Sequence, residues 1–326
     1  MTPSNRLALW VALSFAAGTA AAAEPPALKQ TIVFPGKTGN LDHLAVDAKG
    51  GRLFVANKPN NTLDVIDLKT GRVVRQIPDQ GKASGVAYAA DLDRVFVGNG
   101  AGTCNAFDAA KDYAPVFSAK LPKADNVNYH PGARWVYVAH GQTLTALDAV
   151  TGEVKATVAL PGDAHGFHID SAGGKAYVSL TKPSQVGVVD LTTHEVTASF
   201  PLTLAAGNSP LAYDPSAGRV FVGCRKEPMV VILDARSGKE IGSVAIPGDI
   251  DDLLFDPTHG RLFAVCGAGG VAVIERTRET YAVTTTVETP KGSRTGTVDP
   301  SGERLYVGVP ARGGKDPEIR VYAVTK

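Results

Sequence analysis

One short motif returns seven times in this chain at a nearly constant interval, and that period dictates what the chain can fold into. It reads LFVAN at Leu53–Asn57, VFVGN at Val95–Asn99, VYVAH at Val136–His140 and AYVSL at Ala176–Leu180. It continues as VFVGC at Val220–Cys224, LFAVC at Leu262–Cys266 and LYVGV at Leu305–Val309. The central aromatic falls at Phe54, Phe96, Tyr137, Tyr177, Phe221, Phe263 and Tyr306, with gaps of 42, 41, 40, 44, 42 and 43 residues. A β-rich repeat of that length holds four strands, and units that cannot bury their own faces stack into a closed ring. The expected fold is all-β: a seven-bladed β-propeller of four-stranded antiparallel blades. Unrelated activities share such rings, so function has to be read from the residues of one face.

The first repeat shows how a blade is built. Asp42–Asp47, Arg52–Asn57, Leu63–Leu68 and Arg72–Ile77 read as successive strands, and Pro78, which lacks a ladder donor, stops the last. Glycine-rich turns separate them. The aromatics at fixed strand positions are core residues that fill the space between blades. The seventh repeat runs through Arg294–Asp299, Arg304–Val309 and Glu318–Val324 and then lacks an outer strand. Gln30–Phe34, near the other terminus, matches the repeat-ending segment Val73–Pro78 in character. The expectation is that this N-terminal strand closes the last blade and removes its exposed edge.

Arg6 precedes an apolar run from Leu7 to Ala17, and Ala21-Ala22-Ala23 offers a small-residue cleavage site. Residues 1–23 therefore read as a secretory signal peptide and 24–326 as a single propeller domain in the periplasm. The apolar run is too short to span a membrane. Without residues 1–23 the chain has 32 Lys and Arg, since Arg6 is the only cation removed, against 32 Asp and Glu. A neutral chain has no global electrostatic footprint for nucleic acid or anionic lipid. With three cysteines, at least one is unpaired. Cys224 and Cys266 hold the same register in neighbouring repeats. Packed sheets lie about 10 Å apart, beyond the ~7 Å a disulfide spans, which disfavours a bridge. Cys104 reads as a lone buried thiol.

The V/F/Y-V-x-N strand ends, followed by D-x-x-T-G-x-V at Asp67–Val73 and Asp148–Val154, resemble the YVTN-repeat family of β-propellers. The signal peptide and seven repeats make the chain most similar to that family's periplasmic YncE-like members. The resemblance covers essentially all of 24–326 and implies the fold. Related propellers include lactonases, quinoprotein-type dehydrogenase subunits and an antibiotic lyase, and DNA binding has been proposed for one family member. The motif itself is structural and carries no catalytic residue with it.

Inner strands begin at Asp42, Ser84, Asp125, His165, Ser209, Asp251 and Arg294, followed by His43, Gly85, Asn126, Gly166, Pro210, Asp252 and Thr295. Second strands end, at the same rim, at Asn57, Asn99, His140, Leu180, Cys224, Cys266 and Val309. The expected rim is a polar ring of carboxylates, imidazoles, two thiols and a guanidinium, the kind of convergence that marks a site. His43, Asp125, His165, Asp251, Asp252 and Arg294 are the expected ligand contacts. Strand alternation predicts that only one of Asp42 and His43, and one of Asp251 and Asp252, faces the centre. It likewise sets His165 and His168 on opposite faces. His130, His194 and His259 read as solvated turn residues.

His, Asp and Cys are metal-ligand types, so a divalent metal is the one cofactor these residues would suit. No CxxC, HExxH or EF-hand spacing accompanies them. Lys58, Lys182, Arg225, Lys226, Arg312 and Lys315 lie in rim loops, read either as solubilising charge or as contacts for phosphate and carboxylate. Those loops contain no Phe, Tyr or Trp, which argues against stacking on single-stranded nucleic acid. The leading functional reading is a binding or accessory protein that presents the rim to a small polar or anionic ligand or to a protein partner, and it leans away from an enzyme. The alternatives are a hydrolase or lactonase using the same ring, with or without a metal, and nucleic-acid binding through the basic loops.

Overall fold

A computed structural model describes residues 24–278 and 280–325. The expected signal segment, 1–23, lies outside the described residues. The strands form seven four-stranded antiparallel sheets, each a blade. Blade one comprises Leu44–Asp47, Arg52–Asn57, Thr62–Asp67 and Arg72–Ile77 from axis to periphery. Blade seven comprises Thr295–Val298, Arg304–Val309 and Glu318–Ala323, and its outer strand is Ala27–Val33 from the N-terminal side. Ile32 pairs with Ile319 and Val33 with Glu318, so the ring closes as expected. Ile32 and Phe34 are each 2% exposed and pack with Leu53 of blade one and Tyr306 of blade seven. No helix among the described residues is long and apolar enough to cross a membrane.

The second strand of each blade is covered on both faces by neighbouring blades. It therefore reads as a continuous buried run, as in Leu53–Asn57, where every residue is buried. All seven repeat aromatics are buried, from Phe54 at 0% to Tyr177 at 3% exposure. Near the axis the blades approach so closely that side chains are excluded at some positions. A Cβ on Gly85 would lie 2.3 Å from the carbonyl oxygen of Asp125, and one on Gly166 2.7 Å from that of Ser209.

Two sets of bulges shape the ring. Each outer strand carries one extra residue: Lys29, Val74, Val116, Lys155, Thr197, Ile241 and Thr284 in turn. A bulge bends an edge strand away from intruding partners. The second set lies at the rim. Inner strands of blades two, four, five and six slip register at Ala83/Val86, Ala164/Phe167, Asn208/Leu211 and Ile250/Asp252. These slips fall on the rim positions Ser84, His165, Ser209 and Asp251.

Cys104, Cys224 and Cys266 are free and buried. Burial pushes all three thiols up to about 12.

Candidate functional site: an ion network at the polar rim

At the rim end of the axis a cavity of about 160 Å³ is bordered by His43, Asn126, His165, Asp251 and Asp252. The His43 ring, from blade one, places Nδ1 2.9 Å from Asp252 Oδ1 of blade six and Nε2 3.7 Å from Asp42 Oδ1. Burial disfavours the charged ring, but Asp252, then Asp42 and Asp251, outweigh it and hold His43 up to about 10. It is an imidazolium at neutral pH. The other oxygen of Asp252 accepts from the backbone N–H of Gly296 at 2.8 Å. One carboxylate thus ties blades one, six and seven together.

Two further clusters flank this pair. Asp42 Oδ2 accepts from Lys58 Nζ at 2.7 Å and from Ser84 Oγ at 3.3 Å. Burial pushes the Asp42 carboxyl up, but His43 and Lys58 together bring it below its ordinary value. Asp251 pairs with Arg225, whose Nε donates to the Ile250 carbonyl at 2.7 Å, and with Arg294 Nε at 3.0 Å. For Asp251 burial wins, and its carboxyl is raised despite His43 and Arg225. Arg294 also reaches Asp249 at 3.5 Å. His165 Nδ1 lies 3.1 Å from Ser209 Oγ. Burial pushes this imidazole down to about 4, so it is neutral. Asp125 is half-buried, and its charge acts on both Lys58 and His165.

The structure therefore gathers the six expected residues at one end of the axis, but it corrects how they are presented. Of Asp42 and His43 only His43 borders the cavity, as alternation predicts, while Asp42 lies beside its ring and turns to Lys58 and Ser84. Asp251 and Asp252 both border the cavity because Asp251 is the bulge residue between Ile250 and Asp252. His165 and His168 are not on opposite faces either. The bulge after Ala164 restores a common direction, and both touch blade five, His165 at Ser209 and His168 against the Tyr213 ring at 5.8 Å. They serve opposite ends of the axis, since His168 borders the other mouth.

The second-strand ends are not part of the ring. Asn57 donates to Asp64 at 2.7 Å, Asn99 to Gln80 at 3.2 Å, and His140 Nε2 lies 2.8 Å from Thr145 Oγ1. Cys224 and Cys266 are wholly buried. These side chains turn into the blades because both faces of the second strand are covered. The turn histidines are not solvated as expected. His194 stacks on Trp135 at 5.6 Å, His259 Nδ1 lies 2.7 Å from Asp256, and His130 is half-buried.

Lys58 and Arg225, read from sequence as loop charge, are structural members of the rim. The signal lay in their position: each immediately follows a second-strand end. Among the described residues, no three His, Cys, Asp or Glu side chains form a group able to hold a metal. The aromatics missing from the rim loops gather at the opposite mouth, a cavity of about 420 Å³ bordered by Phe167, Tyr213 and Phe255.

Chemically, the cations that border the axis, His43, Lys58, Arg225 and Arg294, are each paired with a carboxylate, whereas Lys182 and Lys226 stand exposed in the surrounding loops. A charged group entering at the axis would exchange partners within a preformed network.

Comparison with known proteins agrees with this architecture. Two relatives, each named uncharacterized protein YncE, come from Salmonella typhimurium strain LT2 and Salmonella typhi. They are 24% and 23% identical over 186 residues, covering 56% of this chain and 50% of each relative. The match thus spans about half the length of these curated relatives. Among solved structures, hydrazine synthase of Kuenenia stuttgartiensis superposes with a TM-score of 0.74 at 14% identity, covering 90% of this chain and 96% of that one. A chain of the mitotic checkpoint complex gives 0.78 at 12%, covering 99% of both. U3-55K gives 0.79 at 10%, covering 92% of this chain and 100% of that one. At such identities the likeness establishes the fold alone. The chain is a β-propeller with weak similarity to these YncE proteins. A family model described as outer membrane protein assembly factor BamB matches residues 59–324, most of the chain, and the protein belongs to that family.

Proposed function

We propose that this protein is a non-enzymatic accessory factor of the periplasm whose polar rim is the docking face for a protein partner. The observation that carries the reading is the rim's internal pairing. His43, Lys58, Arg225 and Arg294 are each engaged with Asp42, Asp251 or Asp252. Such a network is pre-ordered and charged, and it leaves few groups free for acid–base work. Its cavity, at about 160 Å³, falls below the ~300 Å³ at which ordinary small-molecule sites begin. It would admit a side chain of a partner rather than a whole ligand. The family description, an assembly factor of outer membrane proteins, supports a partner-binding role. The Arg6-to-Ala23 pattern supports export.

The test is in-cell photo-crosslinking from an unnatural residue at Lys182 or Lys226, exposed in rim loops, against Lys49, exposed in a turn at the other end of blade one. The reading expects defined adducts from the two rim positions and none from position 49. Equal adducts from all three would defeat it.

One observation favours a second reading, a hydrolase or lactonase: the Ser209–His165 contact on the rim. A neutral imidazole beside a hydroxyl is the start of a nucleophile–base pair, although a base depressed to about 4 is weak near neutrality. Ester or lactone turnover that disappears in both His165→Ala and Asp251→Ala would replace the accessory reading with this one. Nucleic-acid binding through the loops loses Lys58 and Arg225, which are already paired with Asp42 and Asp251.

A further inference from the structure

Each blade ends in an outer strand whose free edge could pair with another chain, and six of the seven carry a defence besides the bulge that all seven share. Lys29 interrupts Ala27–Val33, Arg75 interrupts Arg72–Ile77 and Lys155 interrupts Val154–Ala159. Ala114–Lys120 contains Pro115 and ends in a lysine. Glu195–Pro201 begins with a charge and ends in proline, and Glu240–Ala245 contains Gly242.

Blade six differs. Its outer strand, Thr280–Glu288, is nine residues long against six or seven elsewhere. From Thr280 to Val287 it holds no charge, proline or glycine, and every residue except Ala282 is β-branched or aromatic. That composition favours strand pairing.

The bulge gives this strand a second peculiarity. In the other six blades it leaves one or two strand residues before it and three or four after. In blade six Thr284 is central, with four residues before it, Thr280–Val283, and four after it, Thr285–Glu288. A strand with equal arms about its bend is complementary to itself turned end for end. Charge supports the same arrangement. Glu288 is exposed at one end, and at the other Arg276 and Arg278 are exposed while Glu275 is half-buried, with Glu279 next to Arg278 in the sequence. Arg276 stands opposite Tyr281 on the neighbouring strand. Antiparallel pairing about Thr284 would set Glu288 of one copy beside Thr280 of the other. Strands lie about 4.8 Å apart, so that glutamate would sit about 10 Å, backbone to backbone, from Arg276. Two long side chains cover such a gap.

We propose that a second copy of this chain pairs with the blade-six edge about a two-fold axis at Thr284. Two four-stranded blades then become one continuous sheet, with Glu288 of each copy facing Arg276 and Arg278 of the other. The interface is isologous, as in most closed dimers.

Sedimentation equilibrium on the full folded domain, across a wide concentration range, tests it. Wild type is expected to associate, and Glu288→Arg alone, or Arg276→Glu with Arg278→Glu, to weaken association about tenfold or more. Mixing those two variants is expected to restore it, because both ion-pair sets are complementary only in the mixed dimer. Thr284→Lys with Thr286→Lys, at exposed positions, should abolish it while the monomer keeps a single cooperative unfolding transition. A wild type that stays monomeric throughout overturns the proposal. So does a dimer that these substitutions leave intact, or a mixture that associates no better than its components.

Discussion

Replacing His43 with glutamine would change the shape of the pH–stability curve, not only its height. The folded ring holds His43 at about 10 against an ordinary value of 6.5. The gap corresponds to about 5 kcal/mol of preferential stabilisation of the charged form at most. The imidazole is 17% exposed, so solvent screening removes little, but relaxation of the pair leaves about 2–5 kcal/mol as the working range. The sign follows from proton binding. Between pH 6.5 and about 10 the folded state keeps a proton that the unfolded chain has released. The contribution is therefore complete below 6.5 and lost as pH rises through that window, at up to about 1.4 kcal/mol per pH unit. The assay is urea unfolding of wild type and His43→Gln at several pH values from 6 to 9.5. Lysine, tyrosine and thiol titrations are common to both proteins and cancel in the comparison. Wild type should lose most of its advantage over the variant by the alkaline end. Parallel curves would refute the charged-imidazole assignment.

Other outcomes follow from the closure and the packing. Ile32→Ala, in the strand that closes blade seven, should cost about 2–5 kcal/mol by denaturant unfolding, and deletion of residues 24–33 should cost more. Insensitivity to both would remove the closure from the account. Gly85→Ala places a methyl 2.3 Å from a backbone oxygen of blade three and should lower stability by at least about 1–3 kcal/mol in a thermal melt. Cys104, Cys224 and Cys266, buried with thiols raised to about 12, should resist a thiol reagent at pH 8 until denaturant is added. Rapid labelling of any one of them in the native protein would contradict its placement.

The fold was legible because the repeat is a packing unit. A period near 42 residues, an aromatic at its centre and a missing outer strand in the last repeat are enough to specify seven blades and their closure. The site was legible in membership but not in direction. Strand alternation assigns faces only where the ladder is regular, and the inner strands bulge where the rim residues lie. Asp251, out of register between Ile250 and Asp252, turns to the cavity beside its neighbour, and His165 and His168 come to share a direction. The second-strand ends were misplaced for a different reason. Asn57 and Asn99 look like rim polar groups in a linear reading. Their partners, Asp64 across a hairpin and Gln80 on the chain between blades, satisfy them inside the protein. Lys58 and Arg225 show the converse. Sequence left each open as solubilising charge or as a contact for an anion, and each stands beside an inner-strand carboxylate that only the closed ring brings near.

The docking role of the rim is tested most directly by the crosslink from position 226 in two backgrounds, wild type and Asp125→Lys. Asp125 lies at the rim and its charge acts on Lys58 and His165. A rim that docks a partner predicts that the wild-type adduct falls about tenfold or more in the variant, compared at equal amounts of folded protein. An adduct of equal yield in both backgrounds would mean that the partner, if there is one, sits elsewhere on the ring.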